Sequence, residues 1–150
     1  MKKIGDVMTR DVQLARPEQS IREAAELMAR ADVGSLPVSD NDRLVGMVTD
    51  RDLALRVLTE GKDPARTKVR EVMTAGTHYV FDDEDLDSAT EKMEREQVRR
   101  MPVLNHAKRL VGIVSLGDVA RRADRQAGRA LAGIAREGGR HNQSEEMTRP

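Results

Sequence analysis

Apolar residues at positions 21, 24, 25 and 28 of Ser20-Ile21-Arg22-Glu23-Ala24-Ala25-Glu26-Leu27-Met28 recur at the spacing of one helical face. Ser20 stands before them as an N-cap, and Glu23, three residues on, predicts a capping box. Leu86, Ala89 and Met93 lay down the same stripe later in the chain. Residues 36–38 and 44–48 are short apolar runs around the polar Ser39-Asp40-Asn41-Asp42-Arg43, which predicts strand, turn and strand. A helix over residues 50–60 should follow, stopped by Gly61 and Pro64. With a short strand near residues 12–14, the unit reads β-α-β-β-α.

The pattern is written twice. Val7-Met8-Thr9 returns as Val72-Met73-Thr74, and Val33-Gly34-Ser35-Leu36-Pro37-Val38 returns as Val98-Arg99-Arg100-Met101-Pro102-Val103, each 65 residues on. Leu44-Val45-Gly46-Met47-Val48-Thr49 returns as Leu110-Val111-Gly112-Ile113-Val114-Ser115 after 66, so one residue has entered the intervening loop. The organisation expected is repeat 1 over residues 4–62, a linker over 63–68, repeat 2 over 69–125 and a carboxy-terminal extension over 126–150. About sixty residues bury their apolar faces poorly alone, so the repeats are expected to pack around a pseudo-twofold axis with a cleft between them. The fold class is α/β (α+β), with a helical extension.

Composition narrows the chemistry. The 26 basic and 26 acidic residues balance, and there is no Cys, so disulfides, thiolate metal sites and cysteine nucleophiles are excluded. The start Met1-Lys2-Lys3-Ile4-Gly5-Asp6 does not read as a signal peptide, and no apolar run nears the roughly 20 residues of a membrane span, so a cytoplasmic protein without membrane contact is expected. Balanced charge, with no Trp, one Tyr and one Phe, argues against nucleic-acid binding.

Val-Met-Thr, a capped helix, Gly34-Ser35-Leu36-Pro37-Val38 and Leu44-Val45-Gly46-Met47-Val48-Thr49-Asp50-Arg51-Asp52-Leu53, all done twice, resemble the cystathionine-β-synthase (CBS) domain pair, or Bateman module, over about residues 4–125. Glu60-Gly61-Lys62-Asp63-Pro64 and residues 97–103 are similar to stand-alone bacterial members of the hypoxic-response type. The resemblance implies a non-enzymatic sensor that binds an adenosine-containing molecule between its repeats and acts on a partner protein, commonly as a homodimer in a flat disc. AMP, ADP, ATP, S-adenosylmethionine and NAD(H) are the ligands implied, with no cofactor required. The family pattern of Gly, two apolar residues, Thr or Ser, two variable residues and Asp falls on Gly46 to Asp52 and on Gly112 to Asp118. Thr49 and Asp52, with Arg51 for a phosphate, and Ser115 and Asp118, with Arg100 near, are the residues so marked; Val12, Leu36 and Pro37, or Tyr79, Met101 and Pro102, would hold the adenine. An ionised Asp suits a ribose diol, and a helix start suits a phosphate. Because the copies differ around the acid, unequal affinities are expected.

The same residues carry plainer readings. Thr49 with Asp52, and Ser115 with Asp118, are also hydroxyl N-caps with an acid at the third helical position. Asp83, Asp85, Asp87 and Glu94 have calcium-loop spacing, but Ser88 stands where the loop needs Gly, and repeat alignment makes Asp85 a helix cap. His78, His106 and His141 are scattered without ligand spacing, and no catalytic motif is present. The last helix is expected to run on through residues 119–140, with Ala120, Ala123, Ala127, Leu131 and Ile134 on one face packed in a dimer, and residues 138–150 disordered. Its arginines, Arg121, Arg122, Arg125, Arg129, Arg136 and Arg140, leave open a different function: a ligand-free interaction dimer that uses this helix to hold a partner.

Overall fold

A computed structural model describes residues 2–121 and 124–135 of the chain. The elements in order are α1 (Ile4–Val7), α2 (Ile21–Ala31), β1 (Ser35–Asp40), β2 (Arg43–Thr49), α3 (Asp50–Glu60), a 3-10 turn (Val69–Glu71), β3 (Thr74–Ala75) and β4 (Val80–Phe81). Then come α4 (Leu86–Glu96), β5 (Arg100–Leu104), β6 (Leu110–Ser115), α5 (Leu116–Ala120) and α6 (Asp124–Ile134). The architecture is mixed α+β, with two three-stranded sheets ordered β1-β2-β3 and β4-β5-β6.

The first compact unit is Val12–His78 with Lys108–Leu110. Its α2 starts where expected, since Ser20 Oγ accepts the Glu23 N–H at 3.1 Å. The expected box is only half made, however: Glu23 returns no bond, and the chain at Ser20 is held instead in an antiparallel bridge with Lys68. Ile21, Ala24 and Met28 are buried as the stripe requires, whereas Ala25 is exposed and Leu27 packs at the edge of the core. The helix face is therefore narrower than the sequence pattern predicts.

The hairpin is tighter than expected, because β1 runs to Asp40 and β2 starts at Arg43. Asn41 and Asp42 alone make the turn, with φ of 50° and 64°. A two-residue turn with both φ positive matches the twist of the strands it joins, and Asn and Asp tolerate that conformation. The strand expected near residues 12–14 is reduced to one parallel bridge between Ala15 and Val38. α3 ends at Gly61, whose φ of 66° reverses the chain there.

The second unit, drawn from Met1–Asp11, Tyr79–Ala107 and Val111 onward, follows the same plan. β4 lies parallel to β5, and Thr9 bridges Ile113 of β6. These units are not the consecutive repeats of the sequence. The lead-in of repeat 2 supplies β3 to the first unit, pairing Gly46 with Ala75 and Met47 with Thr74. The lead-in of repeat 1 sits at the corresponding place on β6 of the second unit. Each exchanged segment passes over a glycine. A Cβ on Gly46 would stand 2.6 Å from the Thr74 carbonyl oxygen, and one on Gly112 would stand 2.6 Å from that of Thr9.

Each unit has its own core. Ile21, Leu36, Val38, Val48 and Val69 centre the first, and Ile4, Val80, Met93, Met101, Val103 and Val114 the second. The expected continuous last helix is instead broken at Arg121 into α5 and α6. α6 packs on α4, where Ala130 and Ile134 join the core and Leu131 stays exposed. Ala130 and Ile134 are thus buried within their own unit, with the Gln97 amide donating to the Gly133 carbonyl at 3.3 Å. The side chains of Arg122, Ala123, Arg125, Ala127, Arg136, Arg140 and His141, and residues 138–150, lie outside the described residues.

Candidate functional site

Thr49 is the last residue of β2 and the N-cap of α3, with φ −117° and ψ 162°. A β-branched residue suits the strand end, and its hydroxyl suits the cap. Thr49 Oγ1 accepts the Asp52 N–H at 3.1 Å, and Asp52 Oδ2 accepts the Thr49 N–H at 2.9 Å. The plainer reading of this pair is thereby realised, yet it occupies one carboxylate oxygen only. Asp52 Oδ1 has no partner among the described residues, and the group is half-buried. Arg51 is exposed beside it.

Strand alternation sorts the apolar candidates of the first unit. Leu36 and Val38 point into the core, so Pro37 between them lies on the opposite face. Cross-strand pairing sets Ser35 opposite Thr49 and Pro37 opposite Met47, which places all four on one face. The Leu36 side chain does not share that face. Ser35 and Met47 were not singled out from the sequence, although period-two alternation through the hairpin would have found them. Val12 is half-buried, outside any strand.

In the second unit Ser115 Oγ accepts the Asp118 N–H at 3.1 Å and Asp118 Oδ2 accepts the Ser115 N–H at 2.8 Å. Here the second oxygen is also taken, since the Arg121 guanidinium donates to Asp118 Oδ1. Asp118 is 4% exposed. Met101 is a core residue, with Arg100 exposed and Pro102 buried on the alternate positions of β5. Tyr79 is half-buried, its carbonyl accepting Lys92 Nζ at 3.0 Å and its ring set edge-on to Phe81 with centroids 5.5 Å apart.

The acidic stretch of the second unit is engaged by cations. Asp85 takes Lys3 Nζ at 2.8 Å, and Asp83 Oδ2 lies 2.6 Å from His106 Nε2, whose ring stacks on Phe81. No group of three or more His, Asp or Glu able to hold a metal occurs among the described residues. The hydrogen bond from His106 holds the Asp83 carboxyl below the usual carboxylate range, and Asp85 holds the Lys3 ammonium above its usual value. The Asp83 contribution to stability is therefore present above the ordinary carboxylate pKa and is lost as pH falls through the lowered one. His106→Ala is expected to return the Asp83 midpoint upward to the ordinary range, read by carboxyl-detected NMR titration.

No helix of the described residues is long and apolar enough to cross a membrane. Two stretches, residues 4–59 and 69–125, match the family model described as CBS domain. The chain is 40% identical over 137 residues to the CBS domain-containing protein YhcV of Bacillus subtilis, covering 90% of this chain and 96% of that one. It is 38% identical over 117 residues to Hypoxic response protein 1 of Mycobacterium tuberculosis, covering 77% and 81%. The crystal structure of Hypoxic Response Protein I, which carries two coordinated zinc ions, aligns with TM-score 0.74 at 36% identity over 81% of this chain and 98% of that one. That of CBSX2 in complex with AMP aligns with TM-score 0.71 at 31% identity over 83% and 98%.

Proposed function

The chain belongs to the CBS domain family, and from that premise we propose that it is a regulatory module, not a catalyst, that binds an adenosine-containing ligand at the Thr49–Asp52 start of α3. The observation that carries this reading is the division of labour on Asp52: Oδ2 holds the helix start while Oδ1 has no partner among the described residues. An ionised carboxylate oxygen with a free lone pair accepts a ribose hydroxyl in a charge-assisted bond. The N–H groups of Asp50, Arg51 and Asp52 are taken by the Gly34 carbonyl, the Asp50 carboxylate and the Thr49 hydroxyl, so it is the exposed Arg51 guanidinium that supplies donors for a phosphate. The half-buried Ser35 and Met47, beside the buried Pro37, share the adjoining face against which adenine would lie. The bound AMP in CBSX2 supports an adenine nucleotide as the ligand class. Binding transmits a signal by favouring one of two arrangements of the protein, or of a homodimer with a partner protein, for which the ligand has unequal affinity.

A second reading is a ligand-free interaction module. It is favoured by Asp118, whose two oxygens are both satisfied within the chain.

Asp52→Asn separates capping from binding. The amide oxygen still accepts the Thr49 N–H, but the charge offered to the diol is gone. The variant is expected to keep the fold at a cost of about 0.5–1 kcal/mol, since the Thr49 N–H also loses a charged acceptor, and to lose tenfold or more in affinity for AMP by calorimetry, a charged acceptor being worth about 1.4 kcal/mol more than a neutral one. Asp52→Ala should also lose the reciprocal bond to the Thr49 N–H, at about 1 kcal/mol, while Thr49 Oγ1 still accepts the residue-52 N–H. If AMP, ADP, ATP, S-adenosylmethionine and NADH all leave the wild-type melting curve unmoved, or if Asp52→Asn binds like wild type, the reading fails.

A further inference from the structure

The two acids at corresponding places in the repeats differ in one respect that the motif does not encode. Asp118 is 4% exposed, and among the described residues the side chain that bonds its carboxylate is Arg121, whose own side chain is 71% exposed. The residue corresponding to Arg121 in the first repeat, 66 positions earlier, is Leu55, which offers no charge to Asp52. One carboxylate oxygen is thus covered by a solvent-facing cation in the second unit and left without a partner in the first.

We infer that Arg121 is a built-in competitor for the second acid and makes the second unit selective for anionic adenosyl ligands over uncharged ones. A sugar hydroxyl reaches Asp118 Oδ1 only by displacing the guanidinium, so a charge-assisted bond is exchanged for one to a neutral donor. A nucleoside gives the released Arg121 nothing in return. A nucleotide brings a phosphate on the same molecule, and the planar fork of the guanidinium matches phosphate oxygens in a bidentate way. Arg121 is thus a specificity-determining residue whose partner changes from Asp118 to the ligand.

This inference rests on the adenosyl-binding reading above and extends it from Asp52 to Asp118, and the test keeps the two apart. AMP and adenosine are titrated by calorimetry into wild type, Arg121→Leu, Arg121→Gln, and Asp118→Ala combined with Arg121→Leu. Arg121→Leu strips the buried Asp118 oxygen of its donor, whereas Arg121→Gln keeps an N–H donor and the double variant removes the acid, so a melting curve for each of the four proteins establishes the fold before titration. Both single variants should narrow the ratio of AMP to adenosine affinity at the weaker site about tenfold, mainly through tighter adenosine binding, and the double variant should erase that gain. If the ligands bind but the ratio is unchanged, the Arg121 inference is overturned and the binding function stands. If neither ligand gives heat with any of the four proteins, the function fails and the inference with it.

Discussion

Gly112→Ala is expected to destabilise the protein by about 3 kcal/mol, the upper end of the range for overpacking. The added methyl would stand 2.6 Å from the Thr9 carbonyl oxygen and 2.8 Å from Met8 Sδ, and the nearer atom is backbone. The methionine can turn aside, but the carbonyl can retreat only by giving up the bridge that ties Thr9 to Ile113. Gly46→Ala should cost a similar amount, since its Cβ would meet the Thr74 oxygen at the same distance. Gly128→Ala provides the contrast. Nothing lies within 4 Å of its Cβ position in α6, so alanine there should stabilise by up to about 1 kcal/mol. Urea unfolding of the three variants measures the difference, and equal stabilities would contradict the close crossing at Gly112 and Gly46.

Leu36→Ala carries the second large effect. Leu36 is 1% exposed in the core of the first unit, where it belongs with Ile21, Met28, Val38 and Val48. Truncation there removes contacts on every side and leaves a cavity, at an expected cost of about 2–5 kcal/mol. Leu58→Ala, 82% exposed on α3, should change stability by no more than about 0.5 kcal/mol. The sequence also admits Leu36 as a wall for adenine, and the same variant decides between the roles. A core residue lowers the unfolding midpoint with little change in ligand affinity of the folded protein. A wall residue does the reverse.

Much of this was legible before any coordinates, for physical reasons. The duplication predicts both hairpins, because apolar runs around a polar turn leave the backbone few alternatives. The starts of α2, α3 and α5 were visible as a hydroxyl residue followed at the third position by an acid. What sequence could not carry was the accounting of oxygen atoms: Asp52 and Asp118 sit in the same motif, and only the position of Arg121 makes them differ. The break between α5 and α6 was also hidden, since alanines spaced along residues 119–134 read equally well as one helix. The exchange of lead-in segments was missed for another reason. Periodicity along a chain reports which face of an element is apolar, and it says nothing about which of two near-identical sheets a short strand will join.

That exchange sets an order of events on the ribosome. Residues 3–9 leave the tunnel well ahead of their partners, since Lys3, Ile4 and Gly5 bond to residues 82–85 and Thr9 lies against Ile113. That segment therefore waits for residues 82–85 and then for β6 before it is fully paired. A nascent chain arrested at residue 68 would hold neither half in finished form, since it would also lack the β3 strand that closes the first sheet.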